Sequence, residues 1–264
     1  MRTIIAARRR RIEGARASVP LTGLRQAAES RADFRDFAAA LSGEVLSVIA
    51  ELKKASPSRG LLRPDFQPLE IAESYQKAGA SALSVLTEEE FFQGSLNYLT
   101  GVRGAVSLPV LRKDFIVDEY QVYESVAAGA DAFLLIVAAL EDKDLRHFIE
   151  LAERLHVAAL VEVHTAEELD RAIGAGARII GINNRNLNTL EVSLEISFRL
   201  REKIPPTCLA VSESGIKSGA DLEKLAKAGF NAVLIGEHLM LADNPGEELS
   251  RLLKSAPALK MAGA

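Results

Sequence analysis

Apolar and polar residues follow one another along most of this chain in regular blocks. From residue 45 onward, short apolar runs rich in β-formers occur at 45–50, 82–86, 108–112, 132–137, 157–163, 178–182, 208–212 and 232–235. Continuous runs of this length suit strands covered on both faces. Between most of them lie amphipathic stretches such as 142–155, 167–173 and 220–228, with apolar residues at helical spacing. Glycine recurs just before the next strand, as AGA at 78–80 and 128–130, GAGA at 174–177 and AGF at 228–230. Glycine there ends a helix, and the apolar run after it begins the next parallel strand. Eight strand–helix units at intervals of roughly 20–35 residues are what a closed (β/α)8 TIM barrel requires. A doubly wound sheet is the alternative, weakened by the lack of G-x-G-x-x-G after the first strand. Leu21, Leu24, Ala27 and Ala28 stand at helical spacing ahead of that strand. The expectation is a helical extension over 1–44 packed on a barrel over 45–264, forming a single structural domain.

Composition narrows the function classes. The chain has 264 residues, 48% hydrophobic and 26% charged, which describes a globular protein with a sizeable core. A formal net charge of −4 provides no global basic field to recruit nucleic acid. The lone cysteine, Cys208, excludes an intramolecular disulfide framework and fits a reducing cytoplasm. No apolar run approaches the roughly 18–20 residues that cross a membrane. The arginine run Arg8–Arg11 is the one feature that suggests a transit peptide or a nucleic-acid patch. Ile4, Ile5 and Ile12 near helical spacing, with Glu13 following, favour a solvated helix face instead.

Chemistry collects where the predicted strands end, which is where barrel active sites sit. The first strand leads into AELKKASPSRG, and side-chain alternation sends Glu51 and Lys53 to one side. The third strand ends at Lys113, the fifth at Glu162, and the sixth at Asn183 and Arg185. The seventh supplies Glu213, Ser214 and Gly215, and the eighth Gly236 and Glu237. Ionised groups resist burial unless paired, so acids and bases converging on one rim describe a site better than a plug. Ser214-Gly215 and Gly236-Glu237, after strands seven and eight, stand where such barrels bind phosphate through backbone N–H groups. Phe92 and Phe115 follow strands two and three, where they suit either packing or the clamping of a flat ring. His147, His156, His164 and His238 show no ligand spacing with one another or with Cys208, so no metal site is expected. His164 is read as a rim residue, and Ser212 and Ser214 lack the partners of a serine hydrolase.

The blocks AELKKASPSRG, SVLTEEEFFQGS, PVLRKDFIVDEYQ, LLIVAAL, LVEVH, GINNRNL, VSESGI and LIGEHLM resemble, in order, those of the indole-3-glycerol phosphate synthase family. R-x-x-x-I-E-G-A-R and P-L-x-x-L in the first 44 residues resemble the helices preceding that family's barrel. The resemblance implies a cytoplasmic lyase of tryptophan biosynthesis, working without metal or organic cofactor. Its substrate would be the sugar phosphate 1-(2-carboxyphenylamino)-1-deoxyribulose 5-phosphate, converted to indole-3-glycerol phosphate, carbon dioxide and water. It implies Lys113 as proton donor to the ketone oxygen. Lys53 and Glu51 would serve the later proton transfers and hold the substrate carboxylate, while Glu162 would stabilise positive charge or accept a proton. Asn183 and Arg185 would orient the substrate, Glu213 would tune the lysines, and Phe92, Phe115 and Leu134 would wall the aromatic ring. Ser56, Ser214, Gly215, Gly236 and Glu237 would surround the phosphate, Glu237 through its backbone N–H. Lys53 and Arg185 are expected beside Lys113 as cations that lower its pKa. Asn186 and His238 depart from the aspartate and serine expected there. No nucleic acid or membrane partner is implied, and a monomer is expected in preference to a homodimer. The other readings are phosphoribosylanthranilate isomerase, a catalytically dead scaffold barrel, and a nucleic-acid binder resting on the arginine run alone.

Overall fold

The computed structural model describes residues 1–186 and 191–255; Leu187, the last residue of the GINNRNL block, and the end of the expected 45–264 unit lie outside them. Each apolar run forms a strand: β1 Ser47–Leu52, β2 Ala82–Leu86, β3 Val110–Lys113, β4 Ala132–Ile136, β5 Ala158–Val163, β6 Ile179–Asn183, β7 Leu209–Glu213 and β8 Ala232–Ile235. All pair in parallel with their sequence neighbours, and β1 also pairs with β8, closing the barrel. The first strand begins two residues later than its apolar run, once Ser47 N–H donates to Asn231 O at 2.9 Å. Glu51 therefore lies inside the strand, held by the sheet and not by a loop. Beyond it, the Ser-Pro-Ser-Arg-Gly stretch folds into a small antiparallel hairpin, Ala55–Ser56 against Gly60–Leu61.

The helices are α1 Arg2–Ser18, α2 Leu21–Glu29, α3 Phe37–Leu41, α4 Pro68–Ala78, α5 Leu96–Ala105, α6 Glu119–Ala127, α7 Asp142–Arg154, α8 Ala166–Gly174, α9 Glu195–Arg201, α10 Gly219–Lys227, α11 Glu237–Met240 and α12 Pro245–Lys254. Their ends follow local chemistry. Asp118, Thr165 and Ser218 cap α6, α8 and α10 by accepting backbone N–H bonds that the first turn leaves unpaired. Gly79 ends α4 in the left-handed conformation, at φ 99°.

Alternation along the strands sorts the core into two. Outward-facing residues such as Val48, Val85, Val161 and Val233 meet the helices in one large cluster. Inward-facing Ile49, Leu111, Leu134, Leu160, Ile179, Val211 and Leu234 fill the barrel as a second. Phe37 and Leu41 of α3 belong to that inner cluster, and Ser47 Oγ donates to Ala40 O at 3.1 Å. This fixes α3 under the strand starts, where it caps the barrel's N-terminal end.

The first helices dock by charge as well as by apolar contact. Arg31 donates to Asp131 at 2.6 Å, and Arg35 donates to Leu108 O at 2.7 Å. The arginine run departs from the expected solvated face. Arg8 is only 5% exposed and pairs with Asp114 at 2.8 Å, while Arg11 pairs with Glu89. Arg9 and Arg10 are exposed. Local sequence does not reveal the burial of Arg8, because its partner lies 106 residues away in a buried cluster with Thr87 and Arg112.

Candidate active site

Strand register sets the polar ends of the barrel strands at one level. Glu51 stands beside Ser84, Glu162 beside Gly181, and Asn183 beside Glu213. Above the apolar fill, these ends open into a cavity of about 400 Å³, roofed in part by Met1 and Ile4 of the N-terminal segment. All the residues given a catalytic, substrate or phosphate role from the sequence line it, whereas His164 does not. Glu51, Lys53, Lys113, Glu162 and Glu213 form its charged floor, with Asn183 beside them; Leu134, Phe92 and Phe115 form an apolar wall. Ser56, Arg185, Ser214, Gly215, Gly236 and Glu237 form the opposite rim. The two phenylalanine rings lie 6.3 Å apart at 41°, a tilted aromatic pair on the apolar wall.

The charges are paired across strands. Lys53 Nζ donates to Glu51 Oε1 at 2.6 Å. Lys113 Nζ donates to Glu162 Oε2 at 3.0 Å and lies 3.5 Å from Glu213 Oε2. Arg185 donates to Glu237 Oε2 at 3.1 Å, and Arg59 lies 3.3 Å from the other oxygen. The Glu237 carboxylate thus holds two guanidinium groups at the rim, in addition to the backbone N–H contribution expected of it.

These contacts overturn the expected environment of Lys113. Burial alone lowers an ammonium pKa, but Glu162, Glu213 and Glu51 outweigh it and hold the Lys113 pKa well above its ordinary value. The expected neighbours, Lys53 and Arg185, are each bonded to a carboxylate of their own. Glu213 carries the cost of this arrangement. Burial and the like charges of Glu162 and Glu51 raise its pKa to about 7 despite Lys113, and its oxygens make no hydrogen bond. For Glu162, burial works upward, but Lys113 and His164 prevail and hold its carboxyl below the usual range.

Several contributors escaped the sequence reading. Gly181 leaves the space that Glu213 needs, since a methyl there would overlap Oε1. Gly236 does the same for Glu51 Oε1, so its glycine serves the charged floor as well as the rim. Asn184 Nδ2 donates to the carbonyls of Glu213 and Ser214 at 3.0 and 3.1 Å, fixing the turn in which Ser214 and Gly215 have φ of 68° and 85°. His164, read as a rim residue, lies 3.4 Å from Glu162. The GIN glycine and the arginine of SPSRG were visible signals; the others needed three dimensions. Of the two departures, His238 bonds Glu248 on α12 at 2.5 Å, and Asn186 N–H donates to Glu191 O at 2.8 Å.

Comparison with known proteins gives a consistent result. A family model described as indole-3-glycerol phosphate synthase matches residues 1–252. A protein of that name from Polaromonas naphthalenivorans (strain CJ2) is 51% identical over 253 residues, covering 94% of this chain and 96% of its own. Another, from Chloroherpeton thalassium (strain ATCC 35110 / GB-78), is 60% identical over 213 residues, covering 79% and 82%. Among solved structures, 3-hexulose-6-phosphate synthase from Salmonella typhimurium superposes with a TM-score of 0.65 at 13% identity, covering 80% of this chain and 98% of that one. At that identity the likeness speaks for the barrel fold alone.

Proposed function

The chain belongs to the indole-3-glycerol phosphate synthase family, and we propose that its barrel mouth performs the ring closure with Lys113 as the proton donor. The observation that carries this reading is the Lys113 ammonium, held by Glu162 and Glu213 on the floor of a cavity with an aromatic wall on one side and a glycine-rich rim on the other. In this reading the substrate phosphate meets backbone N–H groups around Ser214-Gly215 and Gly236-Glu237, with Ser56 opposite. The carboxyphenyl ring packs against the wall of Phe92, Phe115 and Leu134. The ketone oxygen then points to the floor.

The ring carbon bearing the carboxylate attacks the ketone carbon, and the carbonyl electron pair moves onto oxygen. An alkoxide is a far stronger base than an amine, so it takes a proton from Lys113 even though the carboxylates raise that ammonium's pKa. Until then the ammonium stabilises the growing negative charge. Carbon dioxide departs, leaving its bonding electrons to restore the aromatic ring. The new hydroxyl next leaves as water, taking a proton from Lys53, while the nitrogen lone pair moves toward carbon. Glu162 and Glu51 are positioned to take the proton whose loss completes the indole. Asn183 orients Glu162, and Arg185 meets the substrate's anionic side when it turns from Glu237.

Residues 1–44 and the barrel form one structural domain in this reading, and the protein is a monomer of the cytoplasm. Among the described residues, no helix is long and apolar enough to cross a membrane. The test is turnover of the carboxyphenylamino sugar phosphate, followed by indole fluorescence. An unaltered protein that releases no indole-3-glycerol phosphate and no carbon dioxide would refute the reading.

A further inference from the structure

His164 follows Glu162 by two residues, so strand alternation sends both side chains to the same side of the barrel. The imidazole is approached from both ends. Nδ1 lies 3.1 Å from Glu168 Oε2 in the first turn of α8, and Nε2 lies 3.4 Å from Glu162 Oε1. The same Glu168 oxygen accepts the His164 backbone N–H at 2.7 Å, which locks the ring's base to the helix. On its far side, Glu162 accepts from Lys113 through its second oxygen. Glu168, His164, Glu162 and Lys113 thus form a row of alternating charge, running from α8 to the cavity floor. Nε2 is buried and makes no hydrogen bond at the present separation, so a small approach by Glu162 would complete one.

We infer that His164 is a positioning residue for the ring closure, its imidazolium holding the Glu162 carboxylate ionised and aimed at Lys113 and the substrate. This rests on the roles assigned above to Lys113 and Glu162. A histidine suits the place because its short, rigid ring spans two carboxylates without reaching the substrate, which a lysine or arginine would do. The ionisable groups facing it are Glu162 on its own strand, Glu168 on α8 and Glu213 on β7, with Lys113 on β3 beyond Glu162. Burial pulls the imidazole pKa down, but the three carboxylates more than offset this and leave it above its ordinary value. The imidazolium is therefore present below that raised pKa and lost as pH rises through it. Turnover should fall on the alkaline side when Glu162 loses this partner.

The test measures kcat and KM across pH for the unaltered protein, His164→Gln and Glu168→Gln, with the His164 ring titration followed by NMR. His164→Gln should lower kcat roughly tenfold, leave KM within about twofold, and abolish the alkaline limb. Glu168→Gln removes one facing carboxylate, so both the limb and the ring titration should move to lower pH. An unchanged kcat in His164→Gln, or a limb that survives it, would overturn the proposal. A lowered kcat with neither the limb nor the titration moving in Glu168→Gln would show a merely structural role and overturn it too. Absence of turnover in the unaltered protein is a separate outcome: it refutes the ring-closure reading, and this proposal with it.

Discussion

The two ends of the barrel are built from the same eight strands and do opposite work. At the N-terminal end, inward positions are apolar, and α3 seals them with Phe37 at 1% and Leu41 at 0% exposure. At the C-terminal end, the next inward positions are Glu51, Lys113, Glu162 and Glu213, which are ionisable and either paired or strained. One end gains stability by removing apolar area from water, while the other gives stability up to hold charge in place. Function sits where the packing is least favourable, a pattern common at sites that must bind and stabilise changing charge.

The sharpest way to break this contrast is at Lys113. Lys113→Arg keeps charge and most of the bulk but replaces the compact ammonium with a planar guanidinium, whose fork cannot present its protons where the ammonium does. Its kcat should drop by roughly 10²–10⁴, with melting temperature nearly unchanged and KM altered little. A kcat within a few-fold of the unaltered protein would end the proton-donor assignment. The converse is Phe37→Ala at the sealed end, expected to cost about 3–5 kcal/mol in denaturant unfolding. The folded fraction should keep its kcat, since Phe37 lies at the opposite end from the charged layer.

Gly181→Ala tests the mouth's geometry without touching a charge. The methyl group displaces Glu213, and a misplacement of about 1 Å can cost about 10²-fold in kcat. Rates equal to those of the unaltered protein would show that Glu213 has room the structure does not give it. A smaller effect concerns stability against pH. The Glu213 pKa is raised from 4.5 to about 7, so between those values the folded state holds a proton that the unfolded chain has lost. Its contribution is complete below the lower value and lost as pH rises through the upper one. Glu213→Gln should therefore melt higher than the unaltered protein at alkaline pH, with the gap closing toward pH 5, while its turnover falls. A gap that widens toward acid would reverse the sign argued here. The smallest effect is Arg9→Gln with Arg10→Gln, expected to change stability by less than about 0.5 kcal/mol and kcat not measurably. Heat denaturation and a single assay check both.

Much of this molecule was legible in the chain, and the reason differs from element to element. Strand 82–86 is legible to the residue because four apolar residues around the small Ser84 stand between the helix stop at Gly79 and a polar loop. The first strand was placed two residues early because Val45 and Leu46 are as apolar as the strand itself, and only pairing with β8 decides where it starts. Glu51, Lys53, Lys113, Glu162 and Glu213 stood out as charges ending apolar runs, and burial of a charge is costly enough to leave that mark. Gly181 is visible as a glycine within an apolar run, but neither it nor Gly236 shows what it makes room for, because those groups come from other strands.

Local sequence thus determined the period of the fold, the helix stops, the inward positions and the kinds of group at the mouth, since each depends on neighbours a few residues away. Tertiary structure decided which charges face one another. It turned Arg8 from a solvated residue into a buried partner of Asp114, surrounded Lys113 with carboxylates where cations were expected, and joined His164 to Glu162. Pairings of this kind fall off with distance in space and are indifferent to distance along the chain. Lys113 and Glu162 are 49 residues apart in sequence and 3.0 Å apart in the barrel, and the sign of a pKa shift follows the second number.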